Sequence, residues 1–373
     1  MLTARHYLDF NATAPLRPEA IAAMRAAMAV AGNPSSVHAE GRAARSRLDQ
    51  ARRQVATLAG CRPAAVCFTG GGTEANNWAL SVWPDRRLLV SAVEHDATLR
   101  AAARAGGQTM PVDAQGRLDL EALKKRLHEQ GQPGALVSVM AANNETGVIQ
   151  PIAEVAAACR EAGALLHVDA IQAAGKMDLS AIVAVADMVS LSAHKLGGPA
   201  GVGALIVRAG LEIRPLIVGG GQESWRRAGT ENLIGIAGFG AAAAAAAARV
   251  DNAADHMKHL QDLLESGLRA ACPAVEIMGD GAPRLPNTTC VRMPGVAAET
   301  QVMALDLAGI AVSAGSACSS GKVAPSHVLS AMGRSEAVAT EAIRISTGWE
   351  TVEADIHALR AAWTDLWHRK QAA

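Results

Sequence analysis

Between residues 65 and 195 short apolar runs alternate with longer segments of helical period. Residues 65–69, 87–92, 134–142, 164–169 and 187–192 are runs of strand length, rich in Val, Leu, Ile and Met. Helical patterns follow at 73–80, 118–130 and 152–162. Strands that are apolar on both faces and alternate with helices predict an α/β fold: a mostly parallel sheet covered by helices on each side. Ahead of this block lie a short strand and turn at 5–15, an amphipathic helix over 17–31 and a long helix over 41–58. The arginines at 42, 45, 47, 52 and 53 are read as that helix's solvent face.

Beyond the block come a strand at 201–207, a polar loop over 219–232 and an alanine-rich helix from 233 to about 251. The texture then changes. A helix at about 253–271 precedes short strands near 274–278 and 288–293, a helix at 299–307, a strand at 309–314, a helix after Pro325, a strand at 342–346 and a last helix from Val352. This grouping predicts a smaller α+β domain with its boundary near 250.

Composition narrows the function classes. Lys and Arg together number 35, as do Asp and Glu, and no basic run or basic-aromatic stripe occurs, so nucleic acid is not an expected partner. The longest uncharged apolar run, 233–248, is shorter than the roughly 20 residues a bilayer requires, and half of it is alanine. The N-terminus has no apolar signal core, and a cytoplasmic protein is expected. The cysteines at 61, 67, 159, 272, 290 and 318 are nowhere spaced as Cys-x-x-Cys, so no metal site is expected. Five of them sit in strand, helix or helix-end contexts that suit buried reduced thiols.

Polar residues cluster where the strands end. Lys195 follows the 187–192 strand in Ser192-Ala-His194-Lys195, just before the turn residues Gly197, Gly198 and Pro199. A lysine leaving a buried strand is costly unless it is paired, exposed or covalently used. Asp169 ends the preceding strand, with Gln172 beyond it; His95 and Asn144 follow two others. Gly70, Gly71 and Gly72 precede Thr73 at a helix start, an arrangement that accommodates a phosphate. Ligands of open parallel sheets bind at the strands' carboxyl ends. An amine for an aldehyde and a carboxylate for a pyridinium nitrogen are what an enzyme holding pyridoxal 5′-phosphate (PLP) needs. On this reading Lys195 forms a Schiff base and moves a proton at the substrate Cα. Asp169 keeps the ring nitrogen protonated, Gln172 faces the ring hydroxyl and His95 stacks on the ring. Gly72, Thr73, Ser192 and His194 hold the phosphate.

Cys318 lies in Ser316-Ala-Cys318-Ser-Ser-Gly321, where small residues on both sides offer no core. A thiol kept on such a loop reads as reactive. Arg344, inside the 342–346 strand, reads as a clamp for a substrate α-carboxylate.

These stretches resemble the PLP-dependent cysteine desulfurases of the NifS/IscS type, within the class V aminotransferase superfamily. The resemblance rests on Tyr7-Leu-Asp-Phe-Asn11-Ala-Thr13, Gly32-Asn-Pro-Ser-Ser-Val-His38, Gly72-Thr-Glu-Ala-Asn-Asn77, Glu94-His95, Asn143-Asn-Glu-Thr-Gly147, His167-Val-Asp169-Ala-Ile-Gln172, Ser192-Ala-His-Lys195, Arg226-Arg-Ala-Gly-Thr230-Glu-Asn232, Ser316-Ala-Cys318 and Pro325-Ser-His-Val-Leu329. It implies a fold-type I PLP enzyme with a seven-stranded, mostly parallel sheet in a large domain of residues 16–250. Residues 1–15 and 251–373 would form the small domain carrying Cys318. It implies conversion of L-cysteine to L-alanine, with Cys318 taking the sulfur as a persulfide for a sulfur-acceptor protein such as an iron-sulfur scaffold. Lys195 would be the Schiff-base lysine and His95 a stacking and proton-transfer residue. Asn144 and Arg344 would bind the substrate carboxylate, with Asn11 near the substrate. The protein would be a homodimer in which Thr230 reaches the neighbouring subunit's cofactor phosphate. A selenocysteine lyase, another class V PLP enzyme and a non-catalytic PLP-binding sulfur carrier are the alternatives.

Overall fold

A computed structural model of the protein describes residues 5–129, 134–315 and 325–372. Its main sheet has seven strands in the order Val66–Thr69, Gly203–Val207, Met188–Ser192, Leu165–Asp169, Ala135–Met140, Arg87–Ser91 and Gln108–Met110. Only Gly203–Val207 runs antiparallel to its neighbours. The strands Val66–Thr69, Arg87–Ser91, Ala135–Met140, Leu165–Asp169 and Met188–Ser192 therefore all end on one side of the sheet. Six of the seven correspond to apolar runs in the sequence. The seventh, Gln108–Met110, has three residues, two of them exposed, and being a sheet edge it carries no apolar run.

The expected helices differ from those observed mainly at their ends, while Asp96–Arg104, Ser180–Val185 and Glu336–Glu341 have no counterpart among the helical patterns of the sequence. The expected 118–130 helix is Leu120–Leu127, entered through Asp119, whose side chain accepts from Ala122 N. The alanine-rich helix closes at Ala247 and a separate one, Val250–Ala271, begins almost at once. The first of these packs against the Ala39–Ala59 and Pro18–Met28 helices. Small residues permit the close approach: a Cβ on Gly240 would lie 2.6 Å from Ala51 Cα. No single helix among the described residues is long and apolar enough to cross a membrane.

A second buried apolar cluster joins Leu8 to residues of the C-terminal part, including Leu260, Leu264, Val291, Ile343, Ile345, Leu359 and Trp363. Beside it lies a four-stranded sheet ordered Ser313–Ala314, Ala342–Ser346, Thr288–Arg292 and Glu276–Ile277. The single strand expected at 309–314 is divided. Ile310–Ala311 pairs in parallel with His6–Tyr7, whereas Ser313–Ala314 pairs with Ala342–Ser346. The chain changes partners at Val312, so one apolar run serves two sheets.

Arg52 corrects the reading of its helix as a plain solvent face. Its guanidinium makes a two-pronged contact with Glu223 at 2.6 and 2.8 Å and donates to Val66 O at 2.7 Å. Glu223 also accepts from Phe68 N at 3.0 Å. This buried carboxylate thereby ties the 219–232 loop to the strand leading into the glycine turn. It holds its grip although Glu223, Ser224 and Trp225 all have positive φ, at 47°, 58° and 66°. Glu223→Ala strands Arg52 and the Phe68 N–H together. It is expected to lower unfolding free energy by about 3 kcal/mol or more, measured by urea denaturation; an unchanged midpoint would refute the role given to this pair.

Candidate active site

Where the five strands end, a cavity of about 610 Å³ opens between the main sheet and the Ala342–Ser346 strand. Its walls include Asn11, Gly72, Thr73, His95, Asn144, Asp169, Gln172, Ser192, His194, Lys195 and Arg344. Every residue expected near the cofactor or substrate is therefore in one place, with two exceptions. Thr230 is exposed on the 219–232 loop and does not line this cavity. Cys318 lies outside the described residues, although Ser313 and Gly315 just before it reach the cavity wall.

Lys195 ends a single 3-10 turn, Ala193–Lys195, that follows the Met188–Ser192 strand directly. Its Nζ donates to Asn11 O at 2.6 Å and Ala12 O at 2.8 Å. Carbonyl dipoles hold it, with no ion pair to a carboxylate among the described residues. Burial, with a smaller contribution from Arg344, pulls its pKa down to about 8. The same burial, then Lys195, lowers neighbouring His194 to about 4, so its imidazole is neutral at physiological pH.

Asp169 is buried at the end of its strand. Its Oδ2 accepts from Asn76 Nδ2 at 2.6 Å and its Oδ1 from Ile171 N at 3.0 Å. Burial raises its pKa, and His95 and Lys195 oppose the rise. Beneath it Glu94 is wholly buried; its Oε1 accepts from Met140 N at 2.7 Å, while burial and Asp169 push its carboxyl well up. His95 caps the Asp96–Arg104 helix, with Nδ1 accepting from Ala97 N at 3.1 Å, which leaves Nε2 to carry the ring proton in the neutral form.

Asn143 shapes the turn after Ala135–Met140 by accepting from Glu145 N and Thr146 N, both at 2.9 Å, and donating to Val93 O. That turn presents Asn144 to the cavity. The Asn144 carbonyl accepts from Asn11 Nδ2 and from Arg344 Nη1, each at 3.2 Å. Arg344 Nη2 donates to Asp9 Oδ1 at 2.7 Å, and its buried Nε has no partner. The guanidinium thus enters the cavity wall already oriented by Asp9.

The donor set fits PLP. Each Asp169 oxygen retains a lone pair beyond its one hydrogen bond, as a pyridinium N–H requires. Gly71 caps the Gly72–Ser81 helix at φ +149°, with open space where a Cβ would stand, and the first helical residues, Gly72 and Thr73, line the cavity, as a phosphate held at a helix N-terminus requires. Lys195 supplies an amine of lowered basicity within the same walls.

Residues 6–359 match the family described as Aminotransferase class-V. The chain belongs to this family. Among class V relatives, a cysteine desulfurase of Cereibacter sphaeroides is 46% identical over 95% of this chain and 94% of its own length. One of Sinorhizobium fredii is 43% identical over 94% of this chain and 93% of its own. A NifS-like protein of Rickettsia africae superposes with a TM-score of 0.91 at 35% identity, covering 98% of this chain and 99% of that one.

Several residues that line the cavity were given no role by the sequence reading. Asn76, one turn into the helix after the glycines, orients Asp169. Its nearness to the Asp169 strand end was implicit in the strand–turn–helix pattern. Glu145, Ser313 and His327 line the cavity, and Glu145 Oε2 accepts from Ser326 Oγ at 2.5 Å. Periodicity places Ser313 in a strand and His327 in a helix but does not say that either reaches the cavity.

The depressed basicity of Lys195 gives a pH test. Only its neutral amine attacks an aldehyde. The rate at which cofactor-free protein develops visible absorbance with PLP should therefore rise with pH, be half-maximal near 8 and level off above it. A rate still climbing above pH 10 would mean that burial does not perturb this lysine.

Proposed function

We propose that the protein is a PLP-dependent cysteine desulfurase, converting L-cysteine to L-alanine and passing the sulfur to Cys318 as a persulfide. What carries this reading is the Lys195 amine and the Asp169 carboxylate sharing one cavity, in a chain 46% identical to a cysteine desulfurase. Lys195 would hold the cofactor covalently, Asp169 its ring nitrogen, Gln172 its ring oxygen and His95 its face. Gly72, Thr73, Ser192 and His194 would hold the phosphate. When bound, PLP supplies an electron sink that stabilises negative charge at the substrate Cα.

The chain's own residues do the rest. Arg344 and the Asn144 side chain bind the substrate carboxylate, and Asn11 borders the substrate. The Lys195 amine, once free, takes the Cα proton and returns a proton to the product. Its pKa of about 8 suits both directions near neutral pH. The Cys318 thiolate attacks the substrate Sγ. The Cβ–S bond breaks as the new S–S bond forms, alanine leaves, and the persulfide remains as a reversible thiol cap. An acceptor such as an iron-sulfur scaffold protein then takes the sulfur.

We assign residues 16–250 to the large domain and 1–15 with 251–373 to the small one, a division supported by their separate apolar clusters. The working form is a cytoplasmic homodimer, with Thr230 reaching the other subunit's cofactor phosphate. Exposed Leu216, Ile217, Val218 and Trp225 on the same loop region favour such an association.

Incubation with L-cysteine and a reductant should yield alanine and sulfide in equal amounts. Cys318→Ala should keep the cofactor's visible absorbance while sulfide release falls by several orders of magnitude. Sulfide release at the wild-type rate from that variant would remove Cys318 from the mechanism.

A further inference from the structure

Lys176 lies seven residues past Asp169, is 6% exposed, and stands close to Lys195 without having been assigned any task. No carboxylate comes within ion-pair distance of it among the described residues. Its Nζ donates instead to Gln172 Oε1 at 2.8 Å and to Asn11 Oδ1 at 3.0 Å. Burial, then Lys195 and Arg344, drive its pKa well down. A buried amine of this kind is costly and is expected to be replaced by an apolar residue unless its hydrogen bonds are needed.

Both of its acceptors are amides whose other ends are fixed independently. Gln172 Nε2 donates to Asn11 O at 3.0 Å, and a backbone carbonyl can only accept. The Gln172 oxygen must then face away from Asn11, toward Lys176. Asn11 is held likewise: Nδ2 donates to Asn144 O and Thr288 Oγ1, while Oδ1 accepts from Asn287 Nδ2 at 3.0 Å as well as from Lys176. The Asn11 carbonyl is also the group that docks Lys195. Together with the Asn11 carbonyl, this amine therefore locks the orientation of the amide facing the cofactor site, and it steadies the residue whose carbonyl receives the Schiff-base lysine.

We propose that Lys176 is a positioning residue: by occupying Gln172 Oε1 it keeps an N–H of Gln172 directed at the cavity, as donor to the cofactor's ring oxygen. The inference rests on the PLP reading for its last step only; the Lys176–Gln172–Asn11 triad exists without cofactor. A donor on the ring oxygen stabilises the negative charge that remains when the bound chromophore loses its proton. Releasing Gln172 therefore raises the pH at which the visible absorbance changes.

The test is a double-mutant cycle of Lys176→Met and Gln172→Ala, read in two ways. In the loaded enzyme, each single variant should raise the midpoint of the visible pH titration by about one unit. The double variant should shift no further than Gln172→Ala alone, because Lys176 acts through Gln172. An unchanged midpoint in Lys176→Met, or shifts that add in the double variant, would overturn the proposal, the latter pointing to a plain charge effect. In the cofactor-free protein, the losses in melting temperature should be non-additive; additive losses would show that the two side chains do not depend on each other. Should Lys176→Met give no cooperative melt, the cycle is run with Lys176→Gln, which keeps a polar head in the same space, with the same two outcomes. If wild-type protein takes up no PLP, the cofactor reading fails, and the melting cycle still decides whether Lys176 holds Gln172.

Discussion

A lysine amine buried at the end of a strand, held by two backbone carbonyls, is the interaction on which the rest of this structure depends. Asn11 O and Ala12 O accept from Lys195, and Asn11 is itself gripped by Lys176, Asn144, Thr288, Asn287 and Ser346. Those residues come from the main-sheet region and from the C-terminal part, whereas Asn11 itself belongs to the N-terminal segment. Closing the site therefore requires the main sheet, the N-terminal segment and the C-terminal sheet together. Carbonyl partners suit a nucleophilic amine, because they satisfy its N–H groups without the ion pair that would hold it protonated.

The parallel sheet makes this possible. Five strands ending on one side place Gly72, His95, Asn144, Asp169 and Lys195 around one volume. Each is immobilised by a different local device: a glycine cap, a helix N-cap, an asparagine-built turn, an amide clamp and a short 3-10 turn. Electrostatics then differentiates them. Burial raises the Asp169 carboxyl and lowers the Lys195 amine, and each opposes the other's shift. Burial thus acts in opposite senses on the two groups, favouring the neutral form of each, and their mutual attraction works against it.

The C-terminal region contributes a cation. Arg344 sits in a strand whose neighbours pack into an apolar cluster, and Asp9, from the N-terminal segment, orients it. The guanidinium end of the site is thus built by residues 335 positions apart. Glu223 and Arg52 work similarly on the opposite side, fastening the exposed Trp225 loop to the strand that enters the glycine turn.

The sequence by itself determined which residues end the strands. Apolar runs and their polar terminations are local properties, and in a parallel sheet local termination is enough to bring Asp169, His95, Asn144 and Lys195 to one side. It likewise marked Cys318 and Arg344 by their unusual surroundings. Only the tertiary structure decided what those side chains touch. Asn76, Lys176, Glu145 and the Asn11 carbonyl gain their roles from contacts spanning tens to hundreds of residues, which leave no period in the chain. The three-residue edge strand Gln108–Met110 and the divided strand at 310–314 were hidden for the same reason. Their backbone partners, rather than their own side chains, make them strands.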